Sequence, residues 1–474
     1  MNYRITSAFL LSVSAPTTVS AFLPTSKKYS TTTVVVSSNN NAKKLVPFIS
    51  STTSIAAVVD IREEAPRNMQ PFDAWATQCG VQRCNGFQFT SNDGQDWSVM
   101  TSENLPSGTS VVGVPANMIL SSQTAKQELE AMSNGGVQDA VKQLGMIGAA
   151  GSISEFYLMV KIMLELERGD QSPYFPWFDS LPRLFFSSVS MTDFCYECLP
   201  PLVFRLSREE RTKFDNVFSV MKKVDVLSDN IKMNQDMVKW AFNVVHTRSM
   251  PSTVNSNDVK IVPMADYINH GTETEVDFSF DAQGNCIGST TRDVQAGSPV
   301  RMSYGNPTNP SVFFAKYGFL DQTSPASFCK IMDTTKSAET ENLGGKDFSK
   351  MLFYKNGAIS EEVWDVVLYD KVLRNKPDVR QQFYNAHIQG DGATKQAIHD
   401  AFIMETSSRV KAHVDQFLEQ IDALNNKTIG KDVSKHPRLP IIMEHNDFVR
   451  TTFEAVKGNL DPMVANLARE RQLV

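Results

Sequence analysis

The stretch "IVPMADYINHG", Ile261 to Gly271, runs three apolar residues (Ile261, Val262, Met264) straight into Asp266, Asn269 and His270. Asn and His suit a half-buried segment only if something satisfies their hydrogen bonds. Asp266 and His270 lie four apart and could share a helix face as metal ligands, but no third ligand accompanies them. An Asn that closes a turn is the structural alternative. Further on comes "RMSYGNPTNPSVFFAKYGFLDQ", with Tyr304-Gly305 and Tyr317-Gly318, the second pair followed by Phe319. "CYEC" (Cys195, Cys198) has redox or zinc spacing. With no second CxxC or HxxxH to complete four ligands, two half-buried thiols on a helix turn is the simpler account.

The elements that must position these residues alternate in kind. Phe72 to Cys79 reads as a short helix, and "FQFT", "WSVMT" and "SVVGVPANMIL" follow as strands separated by turn chemistry. From Thr124 to about Trp240 the pattern is helical. "SEFYLMVKIMLELERG" sets Phe156, Met159, Val160, Met163 and Leu164 along one stripe. β signals return in "EVDFSFDAQGNCIGSTTRDV" and "SPVRMSYG", and after about residue 335 the chain is helical almost to its end. A helical insertion that splits a β unit narrows the choice of fold.

With 474 residues the chain has room for two or three packed units. Formal charge is −6. Residues 1–59 hold Arg4, Lys27, Lys28, Lys43 and Lys44 and no acid, so the body is more negative than the whole. That excludes sequence-independent nucleic-acid binding, which needs a basic footprint, and suits a neutral or basic protein substrate. The apolar run Ile5 to Val13, with Ser20 and Ala21 before Phe22, reads as a signal peptide over 1–21. Residues 22–59, rich in Ser, Thr and Asn with lysines, have transit-peptide composition. Joined at Ala-Phe, the two resemble the two-part presequence of algae with complex plastids. Plastid stroma is therefore the expected destination and the secretory pathway the alternative. No membrane span is expected in the mature chain, because Met146 to Leu164 is broken by Glu155 and Lys161.

Four ordered blocks carry a family resemblance: "ERGDQSPYFPWFDSLP", "KWAFNVVHTRSM", "MADYINHG" and "MSYG…KYGFLD". Together they resemble SET-domain protein methyltransferases of the Rubisco large-subunit lysine methyltransferase branch. The resemblance implies an α+β fold: a β-rich SET domain over 68–331 with a helical insert at about 124–240, then an all-helical substrate-binding domain over 332–474. It implies S-adenosylmethionine as co-substrate, no metal, a monomer, and a protein partner. Given the address, the Rubisco large subunit or another Calvin-cycle enzyme is the natural guess. In the family the Asn-His block and the second Tyr segment thread past each other to form the cofactor cleft. By that resemblance Tyr304 and Tyr317 are catalytic, and Asp93, Gly94, Gln95, Arg248, Asn269, His270, Tyr304 and Phe319 bind the cofactor. Arg248 would fork onto its carboxylate and Phe319 pack on its adenine.

The implied chemistry needs few ionisable groups. Methyl transfer from a sulfonium is an in-line displacement, so orientation supplies much of the acceleration. The nucleophile is a neutral amine, and deprotonating a lysine at neutral pH costs roughly 4.6 kcal/mol, which burial beside a positive sulfonium reduces. Two tyrosines would give an aromatic channel and a hydroxyl to aim the lone pair. One departure stands out. Where the family commonly has E-G-x-G, this chain has "DGQDWSVM", with Asp96 at the second glycine. Loss of catalysis to leave a protein-binding module, or transfer to another side chain such as histidine, are the alternatives. If the address is right, residues 1–21 will carry a reporter to the ER and residues 1–59 into a plastid. Phe22→Ala should stall import, and stromal arrival without Phe22 would count against the two-part presequence.

Overall fold

The computed structural model describes residues 58–472 apart from 253–256, 306–307, 329–336, 346 and 348. Nearly all of the expected signal and transit segments (1–21 and 22–59), Cys329 and the 331/332 boundary lie outside the described residues.

The β part is split along the chain and rejoined in space. β1 (Gln82–Arg83), β2 (Phe87–Thr90), β3 (Ser98–Thr101), β4 (Ser110–Val114) and β5 (Leu120–Ser121) come first. β6 (Met250–Pro251), β7 (Val259–Ile261), β8 (Val276–Phe280) and β9 (Cys286–Thr290) follow the insert. One sheet runs β1-β4-β9-β8, another β5-β7-β6, and β2-β3 form a separate pair. Val114 faces Cys286 and Leu120 faces Ile261, so strands on either side of the insert close one unit. β9 alternates strictly between buried and half-buried positions, the period-2 pattern of a strand with one face on a core. "SPVRMSYG", by contrast, forms no strand; its Met302 makes a single parallel bridge to His270.

The insert is helical between Ser122 and Arg248. Its centre is the helix Ile153–Glu167, which is buried on every side from Phe156 to Leu166 instead of along one stripe. Burial all round forces its two charges into company. Lys161 bonds Glu165 and Glu128 at 2.7 Å each, while Arg168 and Ser172 close the remaining sides of Glu165 at 2.6 and 2.8 Å. Unpaired, either charge would be too costly to bury.

β10 (Ala326–Phe328) pairs with β11 (Leu352–Tyr354), so the region expected to be all-helical over 332–474 includes one strand; from Glu361 the chain is helical, ending in Ile403–Thr428 packed along Leu439–Gln472. Phe417 stacks on Phe453 at 4.3 Å within a core that also takes Leu202, Leu206 and Ala315 from the preceding region. Among the described residues no helix is long and apolar enough to cross a membrane.

Three helices of the insert meet at His246. Its Nδ1 lies 3.0 Å from Glu155 and its Nε2 2.6 Å from Glu210. Burial pulls the imidazole pKa down, but the two carboxylates outweigh it and the net shift is upward. Glu210, despite burial, is held at about 2 by the same contact. A raised histidine contributes stability that is complete below its unfolded pKa and is lost as pH rises through the folded value. His246→Gln should therefore cost most near pH 6, and the gap to wild type in urea unfolding should narrow by about pH 9. A gap that widens with pH would show that the imidazolium is not the lock.

Candidate active site

The apolar half of "IVPMADYINHG" does what its composition demands: Ile261, Val262, Met264, Ala265, Tyr267 and Ile268 are all buried. Met264 carries φ 77° and ψ −50°. It is the only non-glycine with positive φ among the described residues, a strained γ-like turn that buries its neighbour Asp266. Trp177 donates its indole N–H to Asp266 Oδ2 at 3.1 Å, and Arg248 donates through Nη1 to the same oxygen at 3.0 Å and to the Asp266 carbonyl at 2.6 Å. Burial lifts the Asp266 carboxyl above the usual range in spite of the nearby guanidinium. Tyr267 donates to the carbonyl of Ser180 at 2.8 Å. The insert's "YFPWFDS" segment is thus the floor beneath the Asn-His block.

The next residues cross a distant segment. Met302 N–H donates to Asn269 O at 2.9 Å, Gly271 N–H to Met302 O at 3.0 Å, and Tyr304 N–H to His270 Nδ1 at 3.1 Å. The last bond fixes the neutral tautomer of His270, with its proton on Nε2, which faces Asp321 Oδ2 at 3.5 Å. Burial lowers the His270 pKa and keeps the ring neutral. Tyr304 donates its hydroxyl to Ile268 O at 3.0 Å, and burial pushes its pKa upward, so it remains protonated.

Beyond the crossing, the helix Ser311–Tyr317 stops at Gly318. Only glycine fits there: φ is +81°, and a Cβ would lie 2.1 Å from the Phe186 carbonyl carbon. The stop turns Phe319 back onto the rings, with His270, Tyr304, Phe313, Tyr317 and Phe319 forming one aromatic cluster. Tyr304 and Tyr317 lie 5.1 Å apart and His270 and Phe319 5.7 Å apart. The Tyr317 hydroxyl has no hydrogen-bond partner among the described residues.

His270, Tyr304, Tyr317 and Phe319 line a cavity of about 760 Å³. Of the residues singled out in the sequence, the structure brings Asp93, Gln95, Asn269, His270, Tyr304, Tyr317 and Phe319 to its wall. Gly94 lies off the wall, in the turn that carries Asp93 and Gln95. Arg248 also lies off it, its Nη1 on Asp266 and its Nε without a partner. The Asn269 side-chain amide has no partner among the described residues. Arg67 and Arg183, to which the sequence gave no role, also reach the wall. Arg67 donates to Ser180 O at 2.7 Å and to Gln95 O, and burial lowers its pKa. No spacing signals Arg67; only the fold carries it across. Asp96 also lines the cavity; it is exposed, and its carboxylate has no hydrogen-bond partner among the described residues. Partial enclosure, and then the Asp93 charge, raise its pKa. Among the described residues no three His, Cys, Asp or Glu side chains are grouped to hold a metal ion.

No protein-family model matches the sequence, and no curated protein matches it. Solved structures do match in fold. The SET domain of LSMT bound to methyllysine and AdoHcy superposes with a TM-score of 0.57 at 15% identity, covering 85% of this chain and 94% of that one. Rubisco LSMT bound to AdoMet gives 0.54 at 16% identity, covering 84% and 93%. Rubisco LSMT bound to sinefungin and monomethyllysine gives 0.54 at 15%, with the same coverage. The chain therefore has the α+β SET-domain fold of these structures, its helical C-terminal region included.

The Arg248–Asp266 pair generates a test of this geometry. Arg248→Met leaves a buried carboxylate without its cation, a loss of roughly 3–5 kcal/mol. The loss should shrink at low pH, where the orphaned carboxyl takes up a proton. Asp266→Asn in the same chain should restore much of it in urea melts, and an additive double variant would refute the pairing.

Proposed function

We propose that the protein is an S-adenosylmethionine-dependent protein-lysine N-methyltransferase, with its unit division at 68–331 and 332–474 and, from its N-terminal composition, a plastid protein as substrate. The observation that carries this reading is the convergence of Asn269, Tyr304 and Tyr317 on one aromatic-walled cavity from segments far apart in sequence. Partnerless polar groups support the fit of the co-substrate: the Asn269 amide at the wall, and the Arg248 Nε, which is buried without an acceptor among the described residues. Asn269 can both donate to and accept from an amino-acid head group. His270 contributes its backbone, its ring being committed to Tyr304 N–H. Phe319 offers a ring face to a flat base, while Asp93 and Gln95, carried by the turn at Gly94, supply another part of the wall. Arg67, on the wall, competes with Arg248 for the role of carboxylate partner. When bound, the co-substrate supplies an electrophilic methyl group on a sulfonium.

The remaining work belongs to this chain's side chains. Tyr304 stays neutral, so it acts as an aiming group and not as a base. The Tyr317 hydroxyl is free to accept from or donate to an incoming amine, and the two ring faces tolerate a cation alongside. The apolar walls disfavour the charged form of a lysine entering from solvent, which eases loss of its proton.

Labelled S-adenosylmethionine incubated with plastid extract tests this reading. Wild type should transfer label whether or not a chelator is present. Tyr304→Phe keeps the ring and gives up one hydrogen bond to Ile268. Its co-substrate affinity should change little, while turnover falls by roughly 10²-fold or more. Asn269→Ala should weaken co-substrate binding first. Absence of transfer by wild type, with intact binding of an extract protein, would favour a binding module instead.

A further inference from the structure

Next to the active-site cavity lies a second one of about 330 Å³, between the insert and the start of the Leu439–Gln472 helix. In a chain whose body is acidic, four cations line it: Arg211, Lys239, Lys435 and Arg438, with Glu63 the single carboxylate. Arg211 has no carboxylate partner among the described residues; it donates to Met191 O at 3.3 Å and lies 5.8 Å from the Tyr196 ring centre. Among the described residues Lys435 has no ion partner either, and Lys239 is paired only with Asp236, which is 80% exposed. Ser190 and Thr192 add hydroxyls.

Arg438 is the informative residue. Its side chain is 4% exposed, and Glu63 is its only carboxylate among the described residues. Its Nε donates to Phe185 O at 2.8 Å, and its Nη1 and Nη2 grip the two Glu63 oxygens as a fork. A buried guanidinium needs an anion. Here the anion arrives from an N-terminal strap and is itself 46% exposed, so it can swing away into solvent. A planar fork binds phosphate oxygens as well as carboxylate.

We propose that this cavity is a binding site for a small free anion carrying one or two phosphate groups, with Glu63 holding its place in the unliganded protein. The phosphate oxygens would be shared among Arg438, Arg211, Lys239 and Lys435. Glu63 also lines the active-site cavity, and Arg67 lies four residues further along the same strap. Release of Glu63 therefore loosens the strap that carries Arg67.

Calorimetry of the full-length protein with pyrophosphate and with inorganic phosphate, at fixed ionic strength set by chloride, tests the site. Saturable binding is expected, tighter for pyrophosphate. Arg211→Gln should weaken it about tenfold, the usual loss for one charge-assisted hydrogen bond. Lys435→Gln, at an exposed position that cannot disturb the core, should weaken it in the same direction. Glu63→Gln should tighten binding, because the competing carboxylate is gone. That opposite sign separates a site from general charge screening. No saturable binding, equal affinity in wild type and both cation variants, or weaker binding in Glu63→Gln would each overturn the proposal. A phosphoserine peptide that binds more tightly than pyrophosphate would overturn the assignment to a free anion.

Discussion

Everything at the active-site cavity depends on two chain segments being held in one register: 268–271 against 301–304. The contact is short, a few backbone hydrogen bonds between Asn269, Gly271 and Met302 and two from Tyr304. Isolated, so few bonds would contribute only a few kcal/mol, less than the entropy of ordering the segments. The register holds because each segment is anchored beyond the crossing. Asp266 is tied to Arg248 and Trp177, and Arg301 grips Glu275 through Nε at 3.0 Å and Nη2 at 2.8 Å. A slip of one residue would turn Tyr304 away from Ile268 and break both anchors.

This explains why the helical insert sits where it does. Trp177 and Ser180 lie within it, yet their partners, Asp266 and Tyr267, lie in the β unit after it. Gly318 lets the end of the Ser311–Tyr317 helix pass against the Phe186 backbone, also in the insert. The insert is therefore the bed on which both crossing segments rest, which is why it needs a rigid interior. The Lys161–Glu128 pair and the His246 junction help to provide one, each linking neighbouring helices through groups that cannot be left unpaired.

Much of this was legible in the sequence because the relevant signals are local. β-branched and aromatic runs marked β8 and β9, and the helical insert, expected over about 124–240, spans Ser122 to Arg248. The residues singled out in the sequence lie in compact blocks whose order is itself informative, and the fold gathers seven of the proposed site residues on one wall. What could not be read is what depends on distant partners. The apolar stripe of Ile153–Glu167 proved to be one side of a helix buried all round, because other helices cover the face that carries Lys161 and Glu165. "SPVRMSYG" has β-branched and aromatic character but forms only isolated bridges, Pro299 to Met100 of β3 and Met302 to His270 of the crossing segment. Arg67 and Glu63 reach their sites from a strap with no periodicity at all.

Asp96, the departure from the glycine common in the resembling family, has a local physical account. A second glycine is useful where the turn needs backbone freedom. Here Gly94 alone supplies the left-handed residue, at φ +73°, with open space around it. The rest of the turn is set by Asp93, whose Oδ1 accepts the N–H groups of Gln95 and Asp96 at 2.8 Å each. That Asx arrangement gives the loop through hydrogen bonds what glycine gives through freedom. With the backbone held, the Asp96 side chain is solvent-exposed where it lines the cavity. The substitution thus changes the charge at the mouth more than its shape. It sets one more carboxylate where the Arg67 guanidinium acts on it.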